Sequence, residues 1–172
     1  MVTSWRLPLL FGLLLVGGVL HVRVGGAAPY YFYATAALLG FIHFRFHNVL
    51  SAYGALRKGQ LEKAERLLRP IRRPAWLARR HRAYYYLTLG MIDLQHKRLP
   101  SAGRLLQQAV SLGLPQPREQ ALALLNLAHI EFAAKRYPAA RDYLGQARAI
   151  PADDLLLRQG LKELERALER NG

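Results

Sequence analysis

The chain opens with two long apolar runs and continues with segments whose apolar positions recur every three or four residues. The runs cover residues 7–24 and 27–44 and are equal in length. As an α-helix, each would span about 27 Å, close to the thickness of a bilayer core. Glycines between the runs favour a tight turn, and tyrosines at the start of the second run are typical of a membrane interface. This pattern predicts a hairpin of two transmembrane helices over residues 1–45.

Two other interpretations of the apolar runs remain open. The first run could be a cleaved signal peptide, because Arg6 supplies a charged start and residues 25–27 are small. Both runs could instead be buried helices of a soluble domain, although they contain no acidic residue and little amphipathic pattern. The excess of Lys and Arg after the second run predicts a multi-pass protein of the inner membrane with a cytoplasmic carboxy-terminal domain.

The net charge of +14 is unevenly distributed along the chain. Residues 57–82 contain ten Lys or Arg against two Glu, residues 1–50 contain three Arg and no acid, and from Ala83 onward twelve basic residues meet nine acidic ones. This basic stretch predicts contact with anionic lipid headgroups. It could equally be a topology signal with a solvated face, and nucleic acid is a third, less favoured ligand because no nucleic-acid module is recognisable. The predicted lipid-binding residues are Arg69, Arg72, Arg73, Arg79, Arg80 and Arg82.

From residue 46 onward the sequence predicts pairs of helices. Ala64, Ala102 and Ala140 occupy equivalent positions in three similar segments and are evenly spaced along the chain. Prolines terminate the predicted helices between segments. After residue 152, a stripe of leucines at helical spacing predicts a final helix that caps the stack. The predicted fold is therefore all-α, with a membrane hairpin at 1–45, about three helical repeats at 46–152 and a capping helix at 153–172.

The repeated segments resemble the tetratricopeptide family. The third segment carries the pattern best, with Asn126-Leu127-Ala128, then Ala140 and Leu144. The resemblance implies a short solenoid whose first helices line a concave surface for partner proteins. The repeat is longer than the family's usual period of about 34 residues, and the surplus falls in proline-containing linkers. By the resemblance, the partner-binding residues are Tyr84, Leu87, Met91, Leu122, Leu125, Asn126, His129 and Phe132.

The residues give little support for catalysis or for a cofactor. Cysteine is absent, which excludes thiolate sites. His43 and His47 have ligand-compatible spacing but no second pair, and His129 and Glu131 point to different sides of a helix. We therefore expect a non-enzymatic chain without metal or cofactor, namely a membrane-anchored adaptor that binds partner proteins on the cytoplasmic face, or an accessory subunit of a membrane complex. The alternative is a structural membrane subunit that acts mainly through its hairpin.

Overall fold

The computed structural model describes residues 6–23, 28–152 and 154–171, and the regular structure in these ranges is helical. The all-helical prediction agrees with this architecture. The helices are α1 (Arg6–Arg23), α2 (Ala28–Arg57), α3 (Leu61–Leu68), α4 (Arg79–Gln95), α5 (Leu99–Leu112), α6 (Pro117–Ala133), α7 (Tyr137–Ala149) and α8 (Leu155–Asn171). A 3₁₀ turn, Pro74–Trp76, lies between α3 and α4. The chain divides into two compact units, Met1–Asn48 and Val49–Gly172.

The prediction of a transmembrane hairpin at residues 1–45 is wrong. Within the described ranges, no helix is both long enough and apolar enough to cross a membrane. Arginines occupy both ends of α1, so the apolar stretch between them spans only about 24 Å, against a hydrocarbon core of about 30 Å. In α2, which is continuous, the apolar sequence is interrupted by Arg45 between His43 and His47. The predicted multi-pass inner-membrane location with a cytoplasmic carboxy-terminal domain rested on this hairpin and is contradicted with it.

In the first unit, α1 and α2 approach closely at Gly17. A Cβ atom on Gly17 would lie 3.1 Å from Cε1 of Tyr33 and 3.2 Å from Cβ of Phe32. The ring of His21 meets that of Tyr30 edge to face, with their centroids 6.1 Å apart. The small residue therefore sets the contact between the two helices. Because no proline or glycine lies between Gly40 and Gly54, the sequence predicts that the second apolar run continues without a break into the next helical segment. In the structure α2 is a single helix to Arg57, which confirms this prediction.

The second unit contains three similar turns between consecutive helices. Gly59, Lys97 and Lys135 lie in these turns at equal spacing along the chain and have φ values of 73°, 59° and 58°. In each turn the next residue donates its backbone N–H to a carbonyl five positions earlier, at 3.0, 2.8 and 2.9 Å. A left-handed residue is unfavourable except for glycine, so its recurrence in two lysines shows that the same turn is imposed by the packing of the helices it joins.

Small buried residues allow the helices of each pair to approach. Ala102 of α5 and Ala140 of α7 are fully buried, as is Ala128 of α6. At Gly90 of α4, an added Cβ would lie only 2.9 Å from Cγ of Leu106, which is itself 0% exposed. Close packing of α4 on α5 and of α6 on α7 therefore depends on these positions.

α8 closes the carboxy-terminal end of the second unit. Asp154 caps it, since its Oδ1 accepts the backbone N–H of Leu157 at 3.1 Å. Leu157, Leu164 and Leu168 are buried in one cluster with residues of α6 and α7. The predicted leucine stripe therefore packs against the preceding helix pair, and Leu161 joins it as a partly buried residue.

Candidate partner-binding face

The residues predicted to bind a partner fall into two groups in the structure. Tyr84, Leu87 and Leu125 are buried, so their side chains contribute to packing within the second unit. The other five keep some contact with solvent along α4 and α6. We call them the α4–α6 face: Met91, Leu122, Asn126, His129 and Phe132.

The apolar members of the α4–α6 face are partly engaged by α8. Leu122 and Phe132 pack against the cluster that contains Leu157 and Leu164. A cleft of about 190 Å³ lies beside them and is lined by Arg118, Leu122, Leu125, Asp154, Leu156 and Leu157. The leucines of α6 were expected to form a surface for a partner, but the last helix of the chain already covers much of that surface.

Asn126 lies in α6, and its side-chain amide reaches Met91 of α4. Its Nδ2 donates to the carbonyl oxygen of Leu122 at 2.8 Å and approaches Sδ of Met91 at 3.5 Å. These two contacts use the amide nitrogen, whereas Oδ1 has no hydrogen-bond partner among the described residues. The carbonyl end of the amide is therefore oriented and able to accept a hydrogen bond.

His129 lies one helical turn after Leu125 and presents a second acceptor. Its Nδ1 is 3.0 Å from the carbonyl oxygen of Leu125, which can only accept, so Nδ1 carries the proton. Burial among neighbouring atoms lowers the pKa of His129, although the hydrogen bond to Leu125 and the charge of Glu163 in α8 act in the opposite direction. A neutral ring protonated at Nδ1 has its lone pair on Nε2.

A buried polar cluster links α2, α4 and α6, and it was not predicted from the sequence. The hydroxyl of Tyr53 donates to Oε1 of Glu119 at 3.2 Å, and the rings of Tyr53 and Tyr84 have centroids 5.2 Å apart. Burial raises the pKa of both tyrosines, and the charge of Glu119 raises them further. Both hydroxyls therefore remain protonated. Glu119 lies in the first turn of α6, where the helix dipole favours an acid.

The predicted lipid-binding arginines lie on one continuous stretch, residues 69–82, which we call the Arg-rich segment. Arg82 is half-buried, and the other five are exposed. Arg79 is partly committed to structure, because its Nε donates to the carbonyl oxygen of Leu112 at 2.7 Å. Trp76, which was not among the predicted site residues, is 65% exposed, and Cζ of Arg73 lies 5.0 Å from the centre of its ring.

A metal centre would require several ligating side chains in one place. Within the described part of the chain, no group of three or more His, Cys, Asp or Glu side chains could hold a metal ion. The side chains of His43 and His47 lie outside the described set, so their spacing remains only a feature of the sequence. In comparisons with protein-family models, curated proteins and solved structures, nothing matches this chain.

Proposed function

We propose that the second unit is a tetratricopeptide-type scaffold that binds an extended segment of a partner protein across the α4–α6 face. The observation that carries the proposal is the orientation of the Asn126 amide, which contacts Met91 of α4 and whose Oδ1 has no hydrogen-bond partner among the described residues. The resemblance to the family implies that an asparagine at this position contacts the backbone of a bound ligand.

Equivalent details in successive helix pairs support the repeat interpretation. Asp93 forms an ion pair with Arg98 across the turn after α4, with Oδ1 and Nη2 2.7 Å apart. Glu131 pairs with Arg136 in the same way across the turn after α6. By the resemblance, the family usually has an aromatic residue at the position of Asp93. In this chain Asp93 instead forms an ion pair with Arg98 that bridges the turn.

The acceptors on the α4–α6 face determine what kind of segment it suits. Oδ1 of Asn126 and Nε2 of His129 can each accept a hydrogen bond, and the charge of Glu163 in α8 raises the pKa of His129 against the effect of burial. An extended peptide presents backbone N–H groups that match such acceptors. No lysine or arginine is among the five face residues, and Arg118 in the adjacent cleft is paired with Asp154, so these residues do not favour a terminal carboxylate.

Selection of binding peptides with the full-length chain tests this proposal. Peptides enriched from a random display library on the wild-type chain should bind Asn126→Ala about 3- to 10-fold more weakly, since one hydrogen bond is lost. His129→Ala should weaken the same peptides. In a peptide whose contacting amide is replaced by an ester, the N–H is absent, and the affinity for wild type should fall to that of the Asn126→Ala variant.

Gln108→Ala is the matched control, because Gln108 is an exposed amide on α5, away from the α4–α6 face. It should bind the selected peptides as the wild type does. Equal affinity for wild type, Asn126→Ala and His129→Ala would show that the peptides bind elsewhere and would exclude this face as the site.

A further inference from the structure

The Arg-rich segment has an unusual combination of residue types. No acidic residue occurs between Arg66 and Asp93, so the positive charge is not locally compensated in the sequence. Residues 69–80 consist only of Arg, Pro, Ile, Ala, Trp and Leu. Apart from the arginines, the segment therefore has no side-chain amide, hydroxyl or carboxylate with which to form hydrogen bonds.

The backbone of the segment is anchored, while five of its six arginines are exposed. Ile71 and Leu77 are buried, and the backbone N–H of Leu77 donates to the carbonyl oxygen of Pro74 at 2.9 Å. Between these anchors, Trp76 presents an exposed indole ring with the guanidinium of Arg73 beside it. The segment thus holds an aromatic ring and several cations on one short, fixed loop.

Arg79 bonds the carbonyl oxygen of Leu112 at the end of α5, but helix stability does not explain Arg80 and Arg82. The first turn of α4 reads Arg79-Arg80-His81-Arg82 and contains no acid. Cations at a helix amino terminus oppose the macrodipole, whereas acids there would stabilise the helix. Their positive charge adds to that of the helix end, so the region attracts anions more strongly than the arginines alone would.

The uncompensated positive charge of the Arg-rich segment is complementary to the negative charge of anionic lipid headgroups. From this we infer that the segment is a peripheral docking surface for such headgroups. The arginines contact headgroup phosphates, and the indole of Trp76 lies at the interfacial level where tryptophan is enriched. Nucleic acid fits less well, because single-strand binding stacks successive bases on several aromatic rings and the segment has one. This inference concerns a different surface from the α4–α6 face and does not depend on the proposed function.

Tryptophan fluorescence gives a direct test, because the chain contains only Trp5 and Trp76. In full-length Trp5→Phe, all tryptophan emission comes from Trp76. Vesicles of phosphatidylcholine with phosphatidylserine should shift this emission to the blue and bind the chain, while phosphatidylcholine alone should give no shift from Trp76. Binding should weaken as salt rises, since the Debye length falls from about 10 Å at 0.1 M to about 3 Å at 1 M.

Variants separate the segment from general positive charge. Arg72→Gln with Arg80→Gln should weaken binding to the anionic vesicles about 30-fold, the loss expected for two charges close to an anionic surface. Arg104→Gln with Arg166→Gln removes the same charge from exposed positions on α5 and α8 and should leave binding within about twofold of wild type. Circular dichroism should show equal helicity in both double variants.

Three results would overturn the inference. The first is an equal shift with neutral and anionic vesicles, or none with either. The second is an equal loss of binding in the two double variants, which would assign the attraction to net charge. The third is RNA binding that depends on Arg72 and Arg80 without a vesicle-induced shift of Trp76 emission, which would identify the surface as a nucleic-acid site.

Discussion

At the scale of single residues, Gly90 sets the distance between α4 and α5. The nearest atoms to an added Cβ would be Cγ and Cδ2 of Leu106, at 2.9 and 3.0 Å, followed by the backbone nitrogen of the same residue at 3.3 Å. Leu106 is fully buried and cannot move aside without displacing other core atoms. A glycine in a helix interior normally lowers stability, so its presence here reflects the close approach of the two helices.

Gly90→Ala should therefore destabilise the second unit. Overpacking of this kind costs about 1 to 3 kcal/mol, and the better helix propensity of alanine returns up to about 1 kcal/mol. Gly145→Ala in α7 is the matched control, because nothing lies within 4 Å of its added Cβ. It should raise stability by up to about 1 kcal/mol. Urea unfolding measures both, and a stabilising Gly90→Ala would show that α4 and α5 are farther apart than the structure places them.

Two ion pairs make stability depend on pH in the acidic range. The hydrogen bond from Arg136 lowers the pKa of Glu131, with burial acting in the opposite direction. The hydrogen bond from Arg118 lowers the pKa of Asp154, helped by the backbone N–H of Leu157. Because both folded-state pKa values lie below the unfolded ones, these carboxylates stabilise the fold above their ordinary pKa values.

We expect the free energy of unfolding to fall as the pH drops from the ordinary values of 4.5 for Glu131 and 3.8 for Asp154 through the lowered ones. Glu131→Gln should be less stable than wild type at neutral pH and should approach it as the pH falls. Arg136→Gln should behave in the same way, since it removes the same pair. A difference between wild type and Glu131→Gln that persists unchanged below the lowered pKa would contradict this account of the pair.

At the scale of elements, α8 combines a buried face and an exposed face on one helix. Leu164 is 3% exposed and lies in the cluster with Leu125 and Leu144, whereas Leu156 is 75% exposed. The same residue type in the same helix thus occurs in the core and on the surface. The leucine spacing in the sequence predicted which of them face inward, because residues three and four apart share a side of a helix.

Leu164→Ala should cost about 2 to 5 kcal/mol through lost burial and the remaining cavity. Leu156→Ala should change stability by no more than about 0.5 kcal/mol, because its side chain is already in contact with solvent. Thermal and urea unfolding of the full-length variants distinguish the two. Equal effects would mean that α8 does not bind the α6–α7 pair through the observed face.

At the scale of the whole molecule, the second unit is a row of helices in which each pair contacts its neighbours in sequence. α5 contacts α4 on one side and α6 on the other, whereas α8 packs on the last pair, α6 and α7. In such an arrangement the free energy of unfolding is approximately the sum of the intrinsic stability of each helix pair and the contributions of the interfaces between neighbouring pairs. Helices with neighbours on both sides open less often than those at an end.

Hydrogen exchange followed by mass spectrometry should accordingly be slowest in α5 and α6 and faster in α3 and α8. The expected order follows from the contacts of each helix and not from its length, since α8 and α6 both have 17 residues. Full protection of α8 together with α6 would show that the unit opens only as a whole.

The sequence predicted the features that depend on local periodicity and on small residues. The continuity of α2 followed from the absence of helix breakers, the burial of Ala102 and Ala140 from their register, and the inward face of α8 from its leucine stripe. Each of these requires only the repeat of a helix and the steric size of one residue.

Contacts between residues distant in the chain were decided by the tertiary structure. Tyr53 and Glu119 are separated by 66 positions, so no spacing in the sequence predicts their hydrogen bond. Tyr84 and Leu125 share a helix face with solvent-exposed residues and became core because neighbouring helices cover them. The hydropathy of residues 1–45 suggested a membrane hairpin, but the charged ends of α1 leave too short an apolar stretch to span a bilayer. Composition and periodicity thus determined that the chain forms helices, while the packing of those helices determined which side chains remain available to bind.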